Sequence, residues 1–82
     1  MELKDTVELM LSDDYRDRFK AEYQQVKIRK EKLEAYIKKI KKENIPHDCP
    51  IDLLMKQLDI MIDYMFILSK RAYMYEKIDM LD

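Results

Sequence analysis

Asn44-Ile45-Pro46-His47-Asp48-Cys49-Pro50 is the segment on which the reading of this 82-residue chain turns. Proline has no backbone N–H and its ring clashes with the preceding helical turn. Two prolines in seven residues therefore end one helix, and the second pre-sets the first turn of the next. A connection this short makes the flanking helices antiparallel neighbours. The expected fold is all-α: a short N-terminal helix followed by a long antiparallel helical hairpin. The helices are expected at about 3–11, 14–43 and 50–77, within one domain over residues 1–82.

Upstream of the punctuation, nothing breaks a helix between about Asp14 and Glu43. Tyr15, Phe19, Tyr23, Val26, Leu33, Ile37 and Ile40 recur at helical spacing and form one apolar stripe. Lys30 fills the seven-residue gap in that stripe, where a leucine would be expected. Further back, Leu3, Val7, Met10 and Leu11 mark a short amphipathic helix. Ser12-Asp13-Asp14 then offers capping oxygens and acids for a new helix start.

Downstream, Leu54, Leu58, Met61, Met65, Leu68, Ala72 and Tyr75 alternate four- and three-residue steps, a heptad seam. A second apolar line holds Met55, Ile62, Phe66 and Tyr73. A third holds Ile60, Tyr64, Ile67, Met74 and Ile78. Lys56, Asp59, Asp63 and Lys70 form the solvated line. A hairpin partner covers one line only, and a two-helix hairpin has little interior of its own. The other lines are expected to meet further copies in a symmetric homo-oligomer.

Composition agrees with a helical, ordered chain: 48% hydrophobic, 40% charged and no glycine. The net charge of −1 hides an uneven distribution. Residues 27–43 hold eight bases and three acids, while the segments on either side are acidic. The lone Cys49 can form no intramolecular disulfide, which fits a reducing cytosol. The N-terminus lacks an apolar signal-type run, and Leu58–Leu68 is too short and too charged to span a bilayer. The chain is expected to be cytoplasmic, with no membrane partner.

Catalysis is not expected. There is no glycine phosphate loop and no sign of an oriented triad around Cys49. His47, Asp48 and Cys49 are consecutive, and consecutive residues rarely converge on one ion, so neither a metal nor another cofactor is expected. The basic residues of 27–42 read first as a solvated helix face with dipole-matched charge. The odd residues are others. Tyr15 stands at a helix start beside Arg16 and Arg18, where a base can stack while N–H groups and guanidinium donors hold phosphate. Lys30 and Arg71 each interrupt an apolar line, and Arg71 needs either a carboxylate or a ligand phosphate as partner.

The two long segments, DYRDRFKAEYQQVKIRKEKLEAYI from Asp14 and LLMKQLDIMIDYMFILSKRA from Leu53, carry a resemblance. Tyr15-x-x-Arg18, Glu22-Tyr23, Lys32-Leu33-x-x-Tyr36-Ile37, Gln57-Leu58-x-x-Met61-x-x-Tyr64 and Leu68-x-x-Arg71-Ala72 resemble a family of small proteins from crAss-like and Gram-positive phages. That family looks like the helical-hairpin sponges with which phages disarm CBASS and Thoeris immunity. The resemblance implies a hexamer that sequesters a cyclic oligonucleotide or a cyclic ADP-ribose isomer between protomers without cleaving it. It implies Tyr15 as the stacking ring, Arg18 beside it, Lys30 as the phosphate-binding lysine and Arg71 as the basic residue of the second helix. The better-known sponges have a glycine after that lysine and this chain has none, so Lys27 competes with Lys30. Two other readings stand beside the sponge. One is a helical oligomeric adaptor that binds another protein. The other, a binder of long nucleic acid through Lys27–Lys42, would be salt-sensitive and is disfavoured.

Overall fold

A computed structural model describes residues 1–75. A 3-10 turn at Leu3–Thr6 leads into a short helix α1, Val7–Met10. The long helices are α2, Tyr15–Glu43, and α3, Ile51–Tyr75. No strand occurs among the described residues. The expected end of the last helix near Lys77, and Ile78 of its third apolar line, lie outside them.

The breaks fall where the sequence places them. Asp14 caps α2, its carboxylate accepting from the Arg16 backbone N–H at 2.9 Å. The Ser12 hydroxyl accepts from Asp14 N at 3.1 Å and donates to Asp17 at 2.8 Å, fastening the turn from inside. At the other end Asn44 adopts a left-handed conformation, φ 51° and ψ 43°, and its N–H returns to the Ile40 carbonyl at 2.8 Å. Asparagine tolerates this conformation better than other residues with a Cβ, so it ends the helix in a chain without glycine. The Pro50 carbonyl then accepts from Leu53 and Leu54, opening α3.

α3 lies antiparallel on α2, and the core sits in two clusters along their seam. Ile37, Ile40 and Leu54 meet near the loop, with Leu33, Ile45, Ile51 and Leu58 packed around them. Phe19, Leu68 and Ala72 meet at the open end, with Tyr23 against them. Val26, Lys30, Met61 and Met65, in the stretch between, are only half-buried. The expected seam of α3 is thus the buried one. Its second and third lines are not covered: Ile60 is 58% exposed, Phe66 59% and Tyr73 82%, against 1% for Leu68.

α2 also buries a face that the apolar pattern does not reveal. Ala21, Gln24 and Ile28 are buried at steps of three and four residues. The N-terminal segment packs on α2 and makes no packing contact with α3 among the described residues, so α2 is the middle element. Much of the attachment is polar: Gln25 donates to the Thr6 hydroxyl at 3.0 Å and approaches the Met10 sulfur at 2.9 Å. Thr6 itself is fully buried and donates to the Leu3 carbonyl.

Two outcomes follow for stability. Leu68→Ala is expected to cost about 2–5 kcal/mol, the range for truncating a fully buried leucine, while Asp59→Ala leaves the thermal midpoint nearly unchanged. Melting followed by circular dichroism distinguishes them, and equal losses would overturn the assignment of faces. Asp14 is held below its ordinary value of 3.8, chiefly by its hydrogen bond from the Arg16 side chain. Its cap therefore contributes in full above 3.8 and is lost as the pH falls through the lower folded-state value. Asp14→Ala should lower the midpoint at neutral pH and match the wild type once the carboxylate is protonated in both states.

Candidate functional site

Antiparallel pairing brings the C-terminal end of α3 beside the N-terminal start of α2. Tyr15, Arg18, Phe19 and Glu22 from α2, and Arg71 and Tyr75 from α3, line an open depression of about 240 Å³ there. Three of the four residues singled out in the sequence, Tyr15, Arg18 and Arg71, therefore meet although 53 residues separate Arg18 from Arg71.

The rings form a connected wall. Tyr75 meets Tyr15 edge-on, with centroids 6.1 Å apart and planes at 78°, and meets Phe19 at 5.7 Å and 89°. An edge-on neighbour leaves much of an aromatic face open, and Tyr15 is 53% exposed. A planar base can stack on such a face.

Among the described residues, no carboxylate lies within ion-pair distance of Arg71. Its guanidinium lies 4.9 Å from the Phe19 centroid and 5.6 Å from that of Tyr75. One nitrogen donates to the Tyr75 hydroxyl at 2.9 Å. That hydrogen bond, more than any other influence, raises the Arg71 pKa. Cation–π contact and one bond position the fork and leave further N–H donors for an anion.

Arg18 is exposed and donates to the Ser12 carbonyl at 2.7 Å, which ties it to the turn before α2. Three of the first backbone N–H groups of α2 are engaged within the turn: Arg16 N on the Asp14 side chain, Asp17 N and Arg18 N on the Asp14 carbonyl. The guanidinium groups of Arg18 and Arg71 are the charged donors at this end.

Lys30 stands apart. It lies fifteen residues beyond Tyr15 on the same helix, about 22 Å at 1.5 Å per residue, and is half-buried between the two core clusters. Lys27 lines a different, more enclosed depression with Met1, Gln24, Ile28 and Glu31. A single protomer brings neither lysine to the Tyr15 depression. In the loop, the His47 ring approaches the Cys49 carbonyl at 2.6 Å, and both residues are exposed.

Sequence reasoning passed over Glu22 as a site residue, and treated Phe19, Tyr64 and Tyr75 as packing. The Tyr64 hydroxyl donates to the Glu22 carboxylate across the hairpin, and this bond pushes the Tyr64 phenol up from its ordinary value. The available signal was a tyrosine on an apolar helix line, since a phenol held against a neighbouring helix needs a partner for its hydroxyl.

No curated protein and no solved structure matches the chain. A family model described as Sequestin matches residues 13–74, a span that holds both long helices almost entire and Tyr15, Arg18, Lys30 and Arg71. With about three quarters of its length inside that match, the chain belongs to the Sequestin family, a name that fits a protein sequestering a ligand.

Proposed function

We propose that the protein is a phage anti-defence sponge that binds a cyclic nucleotide immune signal, a cyclic oligonucleotide or a cyclic ADP-ribose isomer, and holds it without breaking a bond. The observation that carries this reading is the convergence of Tyr15, Arg18 and Arg71, from opposite ends of the chain, on one open depression. A ring with an open face and two guanidinium groups suit a base and a phosphate. Family membership supports sequestration as the mode of action.

The mechanism is mass action. A high-copy binder in the host cytoplasm lowers the free signal, and the effector that the signal would trigger does not fire. Neither catalysis nor a cofactor enters.

The working form is a symmetric homo-oligomer, a hexamer on the resemblance to phage sponges. The exposed apolar lines of α3 support assembly, because contiguous apolar surface of this kind is normally covered. Assembly also gives Lys30 a role. Being about 22 Å from its own Tyr15, it reaches a bound phosphate from a neighbouring protomer.

Light scattering should give a species several times the 10.1 kDa protomer, and a clean monomer would refute the assembly. Phe66→Asp should dissociate it while helicity is kept. Calorimetry with cyclic di- and trinucleotides and cyclic ADP-ribose isomers tests the ligand. Tyr15→Ala, Arg71→Ala and Lys30→Ala, with oligomers intact, should each weaken binding at least about tenfold, the equivalent of about 1.4 kcal/mol. Ligand released by denaturation should be chemically unchanged. If the wild type binds none of these compounds, the adaptor reading takes the place of the sponge.

A further inference from the structure

Arg71 and Glu22 carry opposite charges, stand on facing helices and line the same space of about 240 Å³. An ion pair across the hairpin is the arrangement their positions invite. It is not made, since no described carboxylate comes within ion-pair distance of Arg71.

Two phenols hold the pair apart. On one side the Tyr64 hydroxyl donates to Glu22 Oε2. On the other, Arg71 Nη2 donates to the Tyr75 hydroxyl at 2.9 Å, and the guanidinium rests 4.9 Å from the Phe19 centroid. Tyr64 and Arg71 are seven residues apart, one heptad, and so lie on one line of α3. Glu22 thus has a neutral and a charged donor on that line and takes the neutral one.

The arrangement persists at neutral pH. The bond to Glu22, ahead of any other influence, pushes the Tyr64 phenol up from its ordinary value, so the phenol stays protonated and keeps donating. Arg71 still feels the carboxylate: the Tyr75 bond raises the arginine pKa most, and the charge of Glu22 adds to it. Glu22 therefore offsets positive charge in the depression without occupying the Arg71 donors.

Free donors matter for an anion. An exposed ion pair is weak, yet a phosphate arriving at a paired guanidinium must break that pair first. The donors it needs for a two-pronged grip are the ones a carboxylate takes. An arginine held by a ring face and a single phenol presents the rest of its fork unoccupied.

We infer that Tyr64 is a positioning residue for anion binding: by taking the Glu22 carboxylate it keeps Arg71 unpaired and ready for a ligand phosphate. The inference rests on the sequestering reading above and adds to it a residue that acts through two others.

The test is a double-mutant cycle on the full chain, with Tyr64→Phe, Glu22→Gln and the two combined. Calorimetry with cyclic di- and trinucleotides and cyclic ADP-ribose isomers reads the affinities. Tyr64→Phe keeps the ring and removes the anchor. It should weaken every probe that the wild type binds by roughly threefold to fivefold, the scale of one exposed ion pair. In the Glu22→Gln background no carboxylate is left to pair with Arg71, so the same change should cost little. The combined variant should bind at least as tightly as the wild type. A tyrosine that only packs would cost the same in both backgrounds. A crystal structure of ligand-free Tyr64→Phe should show Glu22 paired with Arg71. Equal losses in both backgrounds, no loss on Tyr64→Phe, or an Arg71 still unpaired in that crystal would overturn the role of Tyr64 and leave sequestration standing. A wild type that binds none of the probes would overturn sequestration itself, and this inference with it.

Discussion

The seam between α2 and α3 sets everything else in the molecule. Phe19 against Leu68 and Ala72 at one end, and Ile37 and Ile40 against Leu54 at the other, fix the register of two helices that have only one connection. A slip of one heptad would carry Arg71 about 10 Å along α2, at 1.5 Å per residue. Tyr15, Arg18 and Arg71 would then no longer share a depression. The meeting of these three residues is thus a by-product of packing decided by small and branched side chains, with Ala72 buried in the seam.

The same seam explains why the outer faces of α3 matter. A hairpin of this length buries only a strip of each helix, and small chains bury a low fraction of their surface. Burial is worth about 25 cal/mol per Å² of apolar area, so Ile60, Ile62, Phe66, Ile67 and Tyr73 represent stabilisation left unused in the lone protomer. α2 differs because both of its apolar faces are occupied, one by α3 and the other by the N-terminal segment. The asymmetry points outward contact towards α3.

Much of this was legible in the chain. The prolines and Asn44 announce the loop, Ser12 to Asp14 announces the helix start, and the heptad from Leu54 to Ala72 identifies the buried line among three. Less visible was the α2 face of Ala21, Gln24 and Ile28. Alanine and glutamine do not register as an apolar stripe, and the segment that covers them is held through Thr6 and Gln25, a polar pairing that periodicity cannot detect. For the site, Tyr15, Arg18 and Arg71 were found as exceptions to the pattern. Glu22 was not, because an acid on a helix looks solvated until its partner across the hairpin is known. The distance from Tyr15 to Lys30 was implicit in the helical rise.

The division of the core into two clusters gives the hairpin a direction in time. Bringing Ile37 to Leu54 closes a loop of seventeen residues, whereas bringing Phe19 to Ala72 closes one of fifty-three. Closure entropy grows with the logarithm of length, so the second contact costs about 1 kcal/mol more if formed alone. Contacts near the turn therefore form first and the open end zips last, as in other chains where local contacts lead. The order reverses on loosening: the end that carries Tyr15 and Arg71 parts before the loop end does, a gradient that amide hydrogen exchange along α3 would display. A ligand bound across that end, as proposed, would act as a clasp, holding shut the last part of the hairpin to assemble.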